Sequence, residues 1–127
     1  MSNKPKPLSH SPSPALFFET ASAFERTEAL RTAVELDLFS LISAGHQTAE
    51  EIAARCNTSP RGTRILANYL VSLGFLLKTG DQYQLTHDSA VYLDRKSPNY
   101  LGEAMDYLVS TQIRSCFGSL TDAVRNG

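Results

Sequence analysis

The sequence predicts a mainly α fold, a winged helix-turn-helix with a small β-hairpin wing and long apolar helices on either side. Three observations carry that reading. Residues 48–73 hold two helical patterns in close succession, each with its own cap. Residues 75–86 hold two short strand-like runs around Gly80 and Asp81. Apolar residues at spacings of three and four precede and follow this unit. A chain of 127 residues can bury one real core, and 42% apolar content is ordinary for a globular protein.

Residues 1–14 carry four of the six prolines, several serines, and Lys4 and Lys6, a composition that predicts a flexible tail. The domain proper is expected over residues 15–127. Pro14 suits the first turn of a helix. Leu16, Phe17, Phe18, Ala21 and Phe24 then give that helix a wide apolar stripe. From about Glu28 a second pattern runs through Ala29, Leu30, Ala33, Val34, Leu38, Phe39 and Ile42 to a stop at Gly45. A bend is expected near Arg26 and Thr27. Two adjacent phenylalanines plus Phe24 exceed what one small domain readily covers, so this face points to a partner, with closure over its own core as the rival.

Thr48 and Glu51 form a capping-box pattern for a short helix with Ile52, Ala53 and Cys56 inward and Asn57 at its end. Ser59 then caps and Pro60 takes the first position of a longer helix. Ile65, Leu66, Tyr69, Leu70 and Leu73 form its expected core stripe, and Gly74 closes it. "FLLKT" and "QYQLT" follow as strands, with Tyr83 and Leu85 on one face. Thr86 is placed to cap "HDSAVYL". Ser97 and Pro98 mark a last helix start. Leu101, Met105, Leu108, Val109, Ile113, Phe117, Leu120 and Val124 recur along it, with a bend at Gly118. This return should pack on the first helices or on a second copy of them.

A winged helix raises the question of DNA. Reading bases needs donors on the second helix and cations on the wing. Arg61, Arg64 and Asn68 leave the core stripe and could read guanine and adenine. The wing tip "KTGDQYQ" offers one Lys against one Asp. Across residues 48–86, Arg55, Arg61, Arg64 and Lys78 against Glu50, Glu51 and Asp81 leave four minus three, or +1. The whole chain has 12 Lys plus Arg and 13 Asp plus Glu, a formal charge of −1. Few cations mean weak phosphate binding, so a DNA-binding regulator is the second reading rather than the first.

No catalytic site of the chain's own is legible. His10, His46 and His87 lie in polar segments with no Ser, Cys or carboxylate at a spacing that fixes a triad. GxGxxG, P-loop and HExxH patterns are missing. Cys56 and Cys116 form no CxxC pair and have no His at zinc-ligand spacing. They read as reduced thiols of a cytoplasmic protein, consistent with a start that lacks a signal-peptide core. No apolar run is long enough to span a membrane.

The run "ALRTAVELDLFSLISAGHQTAEEIAARCNTSPRGTRILANYLVSLGFLLKTGDQYQLTHDSAVYL" resembles the N-terminal dimerisation domain of class I S-adenosylmethionine-dependent O-methyltransferases, of the caffeate and hydroxyindole type. "AVELDLF" ahead of the helix-turn-helix and "SCFGSLTDAVRNG" after it carry the resemblance over residues 15–127. It implies a homodimer in which the winged helix is scaffold, flanked by dimerisation helices. It implies apolar side chains that roof the pocket of a small-molecule acceptor. It implies S-adenosylmethionine as cofactor of the parent enzyme, held in a Rossmann-like domain after this segment. Gly127 comes about where that domain would begin, so the expectation is the front part of a longer enzyme. No catalytic, cofactor-binding or metal residue of the family carries over. By position in the pattern, Phe17, Phe18, Phe24, Met105 and Leu108 are expected at a dimer interface. Phe18, Tyr107 and Thr111 are expected to line the acceptor site.

Overall fold

The computed structural model describes residues 11–108 and 110–127. Most of the expected tail, with Lys4, Lys6 and His10, lies outside the described residues, as do Val109 and the Thr111 side chain. Helices α1 (Ala15–Ala21), α2 (Ala23–Glu35) and α3 (Leu38–Ser43) lead into the helix-turn-helix, α4 (Ala49–Cys56) and α5 (Pro60–Leu73). Strands β1 (Leu76–Thr79) and β2 (Gln82–Leu85) form the wing, an antiparallel pair with Leu76 opposite Leu85 and Thr79 opposite Gln82. Helices α6 (His87–Tyr92), α7 (Gly102–Leu108), α8 (Thr111–Gly118) and α9 (Leu120–Asn126) complete the chain.

The caps behave as their sequence predicts. Thr48 Oγ1 accepts from the Glu51 N–H at 3.1 Å, and Ser59 Oγ accepts from the Gly62 N–H at 3.2 Å beside Pro60 at the start of α5. Asn57 (φ 57°) and Gly74 (φ 96°) end α4 and α5 in the left-handed region. The wing is joined by Gly80 and Asp81, with Gly80 at φ 62°.

Five local expectations shift, each for a visible reason. The bend expected near Arg26 and Thr27 falls at Ser22. Its N–H keeps the helical bond to the Phe18 carbonyl at 3.0 Å, while its hydroxyl donates to the same carbonyl at 2.6 Å, a back-bond of the kind that bends helices. The pattern from Glu28 to Ile42 is two helices. Asp37 turns to φ 56° and ion-pairs with Arg95 across the fold. The buried face of α5 is Thr63, Ala67 and Leu70, while Ile65 is exposed. Small residues on that face let α4 approach, and Thr58 and Thr63 hydroxyls meet at 2.7 Å. Thr86 stands at the start of α6, but its hydroxyl lies 3.2 Å from the Phe75 carbonyl and 3.1 Å from Ser89 Oγ instead of capping. The single last helix expected from Ser97 is instead three, α7, α8 and α9, and the first of them starts at Gly102. The Leu101 N–H donates to the Tyr92 carbonyl at 2.7 Å and Ser97 Oγ bonds the Val91 carbonyl, tying this stretch back to α6.

One core sits where these elements meet. Ala33 and Val34 of α2, Leu38, Phe39 and Ile42 of α3, Ile52 of α4, Leu70 of α5, Leu76 of β1 and Tyr83 of β2 are all buried in it. Phe39 and Phe75 stack edge to face at 6.2 Å. The Tyr83 N–H donates to the Gln47 carbonyl at 2.7 Å, so the wing also grips the loop before α4. The return packs on α2 through α7, and α8 and α9 pack against each other.

Candidate functional site: an apolar face beside a winged helix

The wing and α5 are built for each other. Asn68 Oδ1 accepts from the Tyr83 hydroxyl at 2.6 Å and from Lys78 Nζ at 2.9 Å. Lys78 also lies over the Tyr83 ring, 5.2 Å from its centroid. Arg64 is ion-paired with Glu50 of α4. Of the three residues that would read bases, all exposed, Arg64 and Asn68 have partners within the chain and Arg61 has none described.

The unsatisfied surface is apolar. Helix α1 has no buried residue, and Phe17, Phe18 and Phe24 are 67%, 61% and 65% exposed. Phe17 and Phe18 touch only edge to face, with centroids 5.2 Å apart. On the return, Leu101, Tyr107, Leu108, Phe117, Leu120 and Val124 are all exposed. The structure therefore leaves four of the five expected interface residues free and half-buries the fifth, Met105, against the chain's own core. Tyr107, expected to line the acceptor site, is exposed. Such a gathering of exposed rings is unusual on a monomeric protein.

Two hollows flank α7. An apolar groove of about 290 Å³ is lined by Leu30, Phe75, Tyr92, Leu93, Leu101 and Leu108, among others. On the other side lies a polar cleft of about 670 Å³ between α2 and α7, with Glu28, Arg31, Tyr100 and Arg114 in its walls. Its charged residues come from segments far apart in sequence, and no spacing could have announced it. Arg95 stacks over Tyr100 at 5.4 Å, and burial pushes the Tyr100 phenol above its ordinary pKa.

No three His, Cys, Asp or Glu side chains converge as metal ligands among the described residues. A dinucleotide-type cradle needs a parallel strand, a Gly-rich turn and a helix. The two described strands are an antiparallel hairpin, so no such cradle is formed among the described residues. Cys56 is half-buried and its Sγ contacts the Leu36 carbonyl at 3.2 Å, whereas Cys116 is exposed. No helix is long and apolar enough to cross a membrane among the described residues.

Known proteins share this arrangement. A putative O-methyltransferase from Nostoc punctiforme has a TM-score of 0.85 and 47% identity to it, over 90% of this chain and 34% of that one. Human N-acetylserotonin methyltransferase, solved in complex with SAM, has a TM-score of 0.79 and 32% identity, over 92% of this chain and 35% of that one. The tetracenomycin polyketide synthesis 8-O-methyl transferase of Streptomyces glaucescens is 34% identical over 122 residues, 95% of this chain and 36% of its own. This chain therefore spans about a third of the length of the relatives it matches. The sequence profile of the O-methyltransferase dimerisation domain matches residues 18–95, from α1 through α6 and the turn after it. The chain belongs to the O-methyltransferase dimerisation-domain family.

Proposed function

We propose that this chain is the dimerisation and substrate-covering domain of an S-adenosylmethionine-dependent O-methyltransferase, acting as a homodimer and not catalytic alone. The observation that carries the reading is α1, a helix with two adjacent phenylalanines and no buried residue. A seven-residue helix is unstable in water by itself and gains its stability from packing. A second copy supplies that packing. The matched relatives are methyltransferases by name, which supports the parent activity.

In this reading Phe17, Phe18, Phe24, Met105 and Leu108 meet the partner. Phe18, Tyr107 and Thr111 cover a small-molecule acceptor, while S-adenosylmethionine and the reacting groups are held by residues outside these 127. The two free cysteines favour a cytoplasmic setting. Sedimentation equilibrium over a wide concentration range tests the pairing. A dimer insensitive to salt is expected, because apolar burial is not screened. A strict monomer at millimolar protein would overturn the reading.

A further inference from the structure

Residues 93–101 join α6 to α7 without forming a helix or a strand. None of residues 94–101 enters the apolar core. Polar bonds hold this link instead, and they converge on α3. Asp94 is buried. Its Oδ2 accepts from Ser43 Oγ at 2.6 Å, and its Oδ1 accepts from the Lys96 N–H at 3.1 Å. Ser40 Oγ accepts from the Arg95 N–H at 3.0 Å. Ser40 and Ser43 lie one turn apart on α3, so one face of that helix grips two successive residues of the link. Beyond the grip, the Ser97 N–H donates to the Asp94 carbonyl at 2.9 Å, and the Leu101 N–H donates to the Tyr92 carbonyl at 2.7 Å.

We propose that Asp94 is the hub of a clasp that fastens this link to α3, and that the link opens as one local unit when the clasp is lost, while the winged helix stays closed. A buried carboxylate is stable only while hydrogen bonds replace its water, and here Ser43 and the Lys96 N–H supply them. A bond of this kind to a charged group biases an equilibrium by roughly tenfold to a hundredfold. The exposed Asp37–Arg95 pair beside it adds at most about fivefold and is the minor part. The unit is local because its bonds end on α3, on α6 and within the link itself, and opening it unpacks nothing in the core. Helix α7 follows the link, and its Met105 lines both the apolar groove and the polar cleft, so opening alters both hollows. Every one of these bonds closes inside one chain. The clasp therefore needs no surface to be free and does not rest on dimerisation.

The test is native-state hydrogen exchange of the 127-residue chain, read amide by amide by nuclear magnetic resonance at fixed pH and protein concentration. Ser97 and Leu101 report on the link; Phe75 and Tyr83, whose N–H groups bond the Leu70 and Gln47 carbonyls, report on the winged helix. Asp94→Ala and Ser43→Ala should each speed exchange at Ser97 and Leu101 by about tenfold or more and leave Phe75 and Tyr83 unchanged. The double variant should be no faster than Asp94→Ala alone, because both changes remove the same bond. Arg95→Gln keeps the Arg95 N–H bond and loses only the ion pair, so it should speed the link less than Ser43→Ala. If Asp94→Ala does not fold, Ser43→Ala, which deletes one hydroxyl at an exposed position, carries the test. Link amides unmoved by Ser43→Ala overturn the clasp. So do equal accelerations in the link and the winged helix, a double variant that adds the two effects, or an Arg95→Gln variant as fast as Ser43→Ala.

Discussion

The Tyr83 hydroxyl donates a 2.6 Å hydrogen bond to Asn68 Oδ1, the same oxygen that receives Lys78 Nζ at 2.9 Å. Tyr83 is 1% exposed, so a buried ring on the wing reaches an exposed amide on α5 through its polar tip. Tyr83→Phe keeps the ring and removes one hydrogen bond, with Asn68 still able to turn to water. It should lower stability by about 1 kcal/mol. Tyr83→Ala empties the core and should cost ~3–5 kcal/mol. Urea unfolding of both variants checks the order; equal losses would mean that the ring contributes little.

Helix α4 depends on its first turn. Thr48 Oγ1 accepts from the Glu51 N–H at 3.1 Å and bonds the Glu51 carboxylate at 3.0 Å. Thr48→Ala removes both contacts and should cost about 1 kcal/mol, while Thr48→Ser should cost little. Thermal unfolding monitored by circular dichroism distinguishes a lost cap from a lost methyl group by that comparison.

Gly102 leaves room for Tyr100. A Cβ added at Gly102 would fall 1.8 Å from the Tyr100 hydroxyl oxygen and 2.0 Å from Cζ. Gly102→Ala must therefore expel the ring from its place beside Arg95. The expected cost is ~1–3 kcal/mol, the range for overpacking. In a Tyr100→Ala background the same substitution should be nearly neutral, and a double-mutant cycle on unfolding free energies measures the difference. Additive losses would place the cause elsewhere.

Phe18 is the sharpest probe of pairing. It is 61% exposed in the single chain, so Phe18→Asp should leave the fold intact. A charge at the centre of an apolar contact should weaken dimerisation by about 2 kcal/mol or more, roughly 30-fold in Kd. Light scattering together with circular dichroism separates the two effects. A variant that dimerises as tightly as the parent would remove Phe18 from the interface.

Burial raises the Cys56 thiol above its ordinary pKa, with the Asp37 carboxylate adding to the shift. The folded state thus favours the neutral thiol. That contribution to stability is whole below the unfolded-state pKa and is lost as pH rises through the folded value. Cys56→Ser should flatten the fall in stability on the alkaline side. In the native protein, a thiol reagent should consume exposed Cys116 quickly and Cys56 slowly. Two equal rates would contradict the burial.

Local chemistry was legible in the chain because it is written within a few residues. Thr48 with Glu51, Ser59 with Pro60, Asn57, Gly74 and the Gly80–Asp81 turn are each short-range signals, and each stands where it was expected. Periodicity was weaker evidence. It predicted Ile65 as core and missed Thr63, because which face of α5 turns inward depends on how closely α4 approaches. The break at Ser22 was misplaced and the one at Asp37 was missed, for related reasons. The first depends on a serine hydroxyl choosing a backbone carbonyl, and the second has Arg95 as partner, 58 residues away in sequence.

The sequence by itself determined the winged helix-turn-helix, its caps and its turn, and an apolar excess in α1, since those follow from neighbours along the chain. Only the tertiary structure decided how that unit is used. It paired Arg64 with Glu50 and Asn68 with Tyr83 on the surface, tucked Met105 against the core, and left Phe17, Phe18, Phe24 and Leu108 in water. It also brought Arg114 to Glu28. Pairings across such distances in sequence carry no periodic signature. They arise when packed helices fix which charges and rings can meet.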